Sequence, residues 1–359
     1  MTSSQQPKVN HTRDHLLNGV KILVGLTLLF FLYSRLEDPQ LLWQKTLDAN
    51  RWMLLLAVGS HGLAVALSAL KWGVLLRAQH VSVTVRRLLR YQWMAVFFDN
   101  FFPAQLGGDV LRGYSLGRDT QRRADAAASV IIDRFTGLTA FMLAAAVSSV
   151  SVLLISGPPI PSSSEDLRFL SFIDLRLIAL GSGSISLALL TAFSLMLSRR
   201  LKRSAEGIIA RLPLGDRILP IWQKLAEAIN AYRQSYLALA IASLGSLMIV
   251  VITSMTIWLL ANAIIPGSIS FIEVLVINPI IAFLGMIPIS PGGLGVRQVV
   301  FAALFVTVGV SAELGFFVGV LQQLITYLVS LPGLWFWVRD RRDQRPVQGA
   351  ALHPDAQAQ

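Results

Sequence analysis

The chain has 359 residues, and 31 Lys+Arg against 20 Asp+Glu give a formal net charge of +11. Apolar residues make up 54% and charged residues only 14%, where a soluble domain carries about 25% charged residues. This composition excludes a disordered chain, argues against a soluble enzyme and points to an all-α polytopic membrane protein. Cysteine is absent, which excludes disulfides, thiolate metal sites and thiol nucleophiles. Of the five histidines only His61 falls in an apolar segment, and no pair has metal-ligand spacing. No metal, cofactor or catalytic residue is expected, and no nucleic-acid partner.

Residues 1–16 are polar and read as a cytoplasmic tail. A bilayer crossing takes about 20 mostly apolar residues, and six segments meet that standard: 17–34, 52–76, 125–156, 176–198, 237–264 and 313–338. The first has no small-residue cleavage site after it and reads as a retained anchor. Two further apolar stretches, 91–111 and 273–310, are interrupted by Pro and Gly. The hydrophilic stretch 199–236 mixes Arg and Lys with Ile208, Ile209, Ile218, Ile221, Trp222 and Leu225. It reads as amphipathic helix on the cytoplasmic membrane face, too short for a catalytic domain. Residues 339–359 read as a cytoplasmic tail, disordered beyond Arg345.

Basic residues concentrate on the cytoplasmic side of a multi-pass protein. With the N-terminus inside, the groups Arg86, Arg87 and Arg90, Arg118, Arg122 and Arg123, Arg199 to Arg233, and Arg339 to Arg345 all fall inside. Both flanks of 91–111 are then cytoplasmic, so that stretch enters from the inside and returns. The stretch 273–310 enters from the outside and returns. The expected fold is about six full transmembrane helices plus two re-entrant broken-helix hairpins of opposite topology, within one domain over 17–338.

The two interruptions share a pattern. The first reads Pro103-Ala-Gln-Leu-Gly107-Gly108-Asp109-Val-Leu-Arg112, and the second Pro288-Ile-Ser-Pro291-Gly292-Gly293-Leu294-Gly-Val-Arg297. Both are P-x-x-x-G-G-x-x-x-R with a Phe, Phe98 or Phe283, five residues before the Pro. With opposite entering sides this is an inverted-topology repeat, and transporters built that way place paired broken helices at the substrate site. Pro103, Pro288 and Pro291 stop the incoming helix, and the Gly pairs let another group approach the backbone. The outgoing helix starts with unpaired N–H groups, a ready anion site, and Arg112 or Arg297 supplies a guanidinium to clamp phosphate or carboxylate. The plainer alternative is that the breaks merely turn the hairpins while each Arg snorkels to the interface.

Other intramembrane polar residues join the candidate site by default. Asp99 and Asn100 precede the first break, and Asp109 is either a helix cap or part of the site. Asp133 and Arg134 are sequence neighbours that point about 100° apart on a helix, so each pairs elsewhere, Arg134 with Asp99 or Asp109. His61 reads as a satisfied buried histidine, Lys71 as a snorkelling residue and Glu273 as an outer-interface residue. Gln322 and Gln323 are placed to bond between helices.

The stretches Phe98-Asp-Asn-Phe-Phe-Pro103, Gly107-Gly-Asp109 with Arg112, Asp133-Arg134-Phe-Thr-Gly137 and Pro288 to Arg297 resemble the lysylphosphatidylglycerol synthase transmembrane region. This is the flippase-like or UPF0104 family, and the resemblance spans residues 17–338. It implies a bacterial inner-membrane protein, and the distribution of Arg and Lys puts both termini in the cytoplasm. Multidomain members join this region to a soluble aminoacyl-transferase domain that is absent here, so the resemblance does not imply lysyl transfer. Other members accompany glycolipid, hopanoid or polyprenyl-linked pathways. The family's second motif usually has Glu after its Arg, where this chain has Gln298.

The expected function is a flippase-like transporter, not an enzyme, that binds an anionic lipid headgroup at the two motifs and moves it between leaflets. One alternative is an enzyme acting on a lipid phosphate. The other is a non-transporting scaffold for a cytoplasmic lipid-modifying or glycosyl transferase. A homo-oligomer is compatible with any of the three.

Overall fold

A computed structural model of the protein describes residues 39–102, 107–155, 174–196, 215–287 and 290–343, together with Thr27, Phe30, Tyr33 and Ser34. Among the described residues the chain is all α, in eleven helices. Five are long and apolar enough to cross a membrane: α2 (Arg51–Ala78), α5 (Arg123–Ile155), α6 (Leu175–Met196), α8 (Tyr236–Ile264) and α11 (Ala312–Asp343). They match five of the six expected spans. The sixth, 17–34, lies outside the described residues except for the four named above. So do the N-terminal tail, the tail beyond 343, residues 199–214 and the two motif prolines Pro103 and Pro288.

A lipid solvent inverts the usual rule for helix faces. The outer faces of the spans carry exposed Leu55, Leu56, Leu154, Leu187, Leu237 and Leu244, while Ser129, Ser246, Ser254 and Thr256 are buried. Those hydroxyls join helices, since an unpaired polar group has no water to turn to in hydrocarbon. Trp72 Nε1 donates to Ser129 Oγ at 3.0 Å, and Asn278 Nδ2 to Ser254 Oγ at 2.9 Å. Contacts of Asn50 with Ala263, Ser60 with Thr256 and Lys71 with Ser246 step along α2 and α8, fixing them as an antiparallel pair.

The bundle has two distinct ends. One gathers the basic residues: Arg122 donates to the carbonyls of Gln79 and His80, Gln79 Nε2 donates to Ala228 O, and Arg90 pairs with Asp340. This basic end holds the C-terminus of α2 and the N-terminus of α5. The opposite end holds the start of α2 and the end of α8, joined by Asn50 N–H to Ala263 O at 3.1 Å. Within the expected amphipathic stretch a helix forms, α7 (Gly215–Ala231). Its Ala228 and Ile229 pack on Leu75, Ala128 and Ile132, so this face docks onto the bundle rather than onto lipid.

Four shorter helices make the two broken pairs: α3 (Val85–Asp99) with α4 (Gly107–Thr120), and α9 (Phe271–Leu284) with α10 (Val296–Thr307). The α3–α4 hairpin starts and finishes at the basic end, and the α9–α10 hairpin at the opposite end. Their tips meet. The Gly292 amide donates to Phe102 O at 3.5 Å, and a β-carbon on Gly292 would stand 2.6 Å from Asn100 O. Gly292 also has φ +58, so only glycine fits this approach without strain. The short helix α1 (Pro39–Leu47) precedes α2.

Candidate functional site

Beside the first break lies a cavity of about 220 Å³, walled by α2, α3, α4, α5, α8 and α9. Lys71, Arg112 and Arg134 face it with Asp99, Asp109 and Asp133, three cations against three carboxylates at membrane depth. Such charges persist only when each finds a partner. Asp133 is shared, ion-paired with Lys71 Nζ at 2.9 Å and accepting Arg112 Nη2 at 2.8 Å. Arg112 also reaches Asp109 at 2.9 Å and Gln92 Oε1 at 3.2 Å, with its guanidinium over the Trp72 ring. Arg134 pairs with the other oxygen of Asp109. The result is a chain of charge running Lys71, Asp133, Arg112, Asp109, Arg134.

Local structure places each member. Asp133 and Arg134 diverge around α5, so one turns toward Lys71 and Arg112 and the other toward Asp109. Asp99 accepts the Gly108 N–H at 2.8 Å, capping the start of α4 where the helix dipole favours a carboxylate. The cap falls to Asp99 and leaves Asp109 for the cations. Gly108 is required by contact: a β-carbon there would lie 2.3 Å from Ala95 O. Gly107 faces the Phe102 ring, and Asn100 Nδ2 donates to Ser330 Oγ at 2.9 Å. The cations differ sharply in access. Arg112 is 3% and Lys71 6% exposed, whereas Arg134 is 32% exposed.

The second break is built differently. Pro291 to Gly293 form a single 3-10 turn, Gly293 has φ +75, and α10 begins only at Val296. Arg297 therefore lies in the first turn of its helix, whereas Arg112 sits further into α4. Gln298 Oε1 accepts the Gly295 N–H at 2.8 Å, so a neutral amide performs the capping here. Among the described residues no carboxylate pairs with Arg297. Leu294 occupies the offset that Asp109 holds in the first motif.

The lysylphosphatidylglycerol synthase TM region family matches residues 19–333 of the chain. The chain belongs to this family. A UPF0104 membrane protein of Pyrococcus horikoshii is 24% identical over 331 residues, covering 86% of this chain and 92% of its own length. A UPF0104 membrane protein of Methanothermobacter thermautotrophicus is 24% identical over 299 residues, covering 78% and 83%. This member of the lysylphosphatidylglycerol synthase TM region family is thus a multi-pass membrane protein across nearly its whole length.

The fold brings Asp99, Asp109, Arg112, Asp133 and Arg134 into one cavity and leaves Arg297, Gly292 and Gly293 at the other break. Two expectations change. Lys71 does not snorkel: Gly137 and Gly245 flank it closely enough to admit its stem into the bundle, where it pairs with Asp133 and bonds Ser246 Oγ at 3.1 Å. His61 is not satisfied, because its Nε2 is buried without a partner. Glu273, expected at the outer interface, joins Ser270 in a capping box that starts α9 at the end opposite the basic one. Gln92 and Trp72, which hold Arg112, carry no signal in the sequence. Both look ordinary in sequence, a polar residue on a short helix and an aromatic in a span.

Proposed function

We propose that the protein binds the anionic headgroup of a membrane lipid in the cavity beside the first break and moves it between the leaflets of the inner membrane. The observation that carries this reading is the ion-paired cavity beside two oppositely directed broken helices whose tips touch. Irregular backbone is tolerated at membrane depth where it is buried in protein or lines a cavity, and inverted repeats put substrate sites at such breaks.

The geometry suggests how a phosphate is taken up. Arg134 is the most exposed of the three cations, and its partner Asp109 also holds Arg112. A phosphate oxygen that displaces Asp109 from Arg134 gains a charge-assisted pair of its own. Asp109 meanwhile stays ion-paired to Arg112. Lys71, Asp133 and Arg112 form the fixed part of the charge chain and Arg134 the exchangeable part. Asp109 and Asp133 are both engaged by cations and Asp99 caps a helix, an arrangement suited to holding charge rather than to acid–base turnover.

The test is reconstitution in liposomes that contain a headgroup-labelled phosphatidylglycerol, with a membrane-impermeant quencher outside. Wild type is expected to expose the inner-leaflet label far faster than protein-free liposomes, and Asp109→Asn to change that rate. Equal rates with and without protein, for this lipid and for a polyprenyl phosphate probe, would sink the transport reading.

A further inference from the structure

The second break carries its own cluster of polar groups, outside the first cavity. Gln322 on α11 is 4% exposed, and its Oε1 is buried with no partner. Its Nε2 stands 3.5 Å from His61 Nδ1 on α2, at the limit of a hydrogen bond. His61 Nε2 and both polar atoms of the neighbouring Gln323 are also buried without a partner.

Packing explains why these groups converge. α11 runs antiparallel to α10: Gly315 faces Phe301 and Phe305, and Gly319 faces Phe301 and Gln298. The next turn of α11, carrying Gln322 and Gln323, therefore lies over the start of α10, where Arg297 sits. His61 approaches from α2, about ten residues or roughly 15 Å along that helix from Lys71. One helix thus carries a polar residue toward each break.

Unpartnered polar atoms in a native interior cost about 1–3 kcal/mol each, so a cluster of them calls for an occupant. The charge says which kind. Arg297 stands in the first turn of α10, where the helix dipole already disfavours a cation. Among the described residues it has no carboxylate partner, in contrast to Arg112. A helix N-terminus, an uncompensated guanidinium and the Nε2 amide donors of Gln322, held only at 3.5 Å by His61, and of Gln323, which has no partner, together suit an oxyanion. His61 adds a group that donates or accepts according to tautomer.

We propose that Arg297, Gln322 and His61 form a second anion site for a phosphate oxyanion, at the second break and outside the charge-balanced cavity. The two sites are unlike in kind. At the first break an incoming phosphate competes with Asp109, and at the second it meets no rival carboxylate. The second site stands on its own geometry and does not require that the first transports.

Thermal unfolding of the full chain in maltoside micelles tests it, with dihexanoyl phosphatidylglycerol titrated in one arm and inorganic phosphate in the other. All variants are compared in an Arg134→Gln background, which removes the exposed cation of the first cavity. The background protein is expected to be stabilised in at least one arm. Protection by the lipid alone assigns the site to a headgroup, and protection by phosphate alone assigns it to the free ion. Adding Arg297→Gln or Gln322→Leu is expected to weaken that protection about tenfold, the worth of one hydrogen bond to a charged group. Gln322→Leu conserves size and leaves Arg297 in place, so it guards against a folding defect in the Arg297 variant. Absence of protection in both arms, or titrations unchanged by both substitutions, overturns the proposal. Loss of leaflet exchange with this binding intact would remove the transport reading and leave the site standing.

Discussion

Gly292 and Phe102 are 190 residues apart in sequence, yet the amide of one donates to the carbonyl of the other at 3.5 Å. This contact joins the tips of two hairpins that enter the bundle from opposite ends. Among the described residues no other backbone bond joins the two breaks.

Gly292 and Gly267 give a matched pair for testing the contact. Both have positive φ, +58 and +74, but only Gly292 faces another backbone. Gly267→Ala is expected to cost about 1–2 kcal/mol, the price of a β-carbon in the left-handed region. Gly292→Ala adds a clash with Asn100 O and is expected to lower the unfolding midpoint clearly further. Equal losses would mean that the breaks do not meet as described.

The buried charge chain predicts a different pattern. Asp133 serves Lys71 and Arg112 together, so Asp133→Asn leaves two buried cations short of a partner. The expected loss is roughly 3–5 kcal/mol, seen as a large drop in midpoint or in yield of folded protein. Adding Lys71→Met to Asp133→Asn removes one of those cations and is expected to recover part of the loss. A double variant less stable than Asp133→Asn alone would show that Lys71 is held by something other than Asp133.

Much of this arrangement was legible in the sequence. The repeated P-x-x-x-G-G-x-x-x-R spacing and the distribution of Arg and Lys implied two broken hairpins of opposite direction, and the helices show them. The divergence of Asp133 and Arg134 followed from helix geometry, and the partner Asp109 was one of two expected. The identical offsets of Arg112 and Arg297 concealed how differently they are housed. Their surroundings depend on which helices cross them: α5 brings Asp133 to Arg112, whereas among the described residues no carboxylate pairs with Arg297. Lys71 misled for the same reason. Hydropathy gives its position along the span, but the glycines that admit it, Gly137 and Gly245, lie on two other helices.

Arg134 and Arg112 are expected to part company in a transport assay. Arg134→Gln removes the exposed cation while Asp109 keeps Arg112, so the fold should persist and headgroup exposure slow by about tenfold or more. Arg134→Lys keeps the charge without the planar fork and is expected to fall between the two. Arg112→Gln should instead lower stability and yield, because it strips a partner from buried Asp133. A wild-type exchange rate in Arg134→Gln would remove Arg134 from the transport path.

The sidedness of the bundle follows from its charge and can be read chemically, because the chain has no cysteine to confuse the result. Arg86 lies exposed at the basic end, and Asp48 lies exposed at the opposite end just before α2. Basic segments are retained on the cytoplasmic side during insertion, so Asp48→Cys is expected to react with an impermeant maleimide in intact spheroplasts. Arg86→Cys is expected to react only after permeabilisation. Both replace an exposed charged residue, and Arg86 is one of several basic residues at its end, so neither substitution should reverse insertion. The opposite labelling pattern would invert the bundle and place the ion-paired cavity nearer the outer leaflet. The Arg297 cluster would then face the cytoplasm, where free phosphate competes with lipid headgroups.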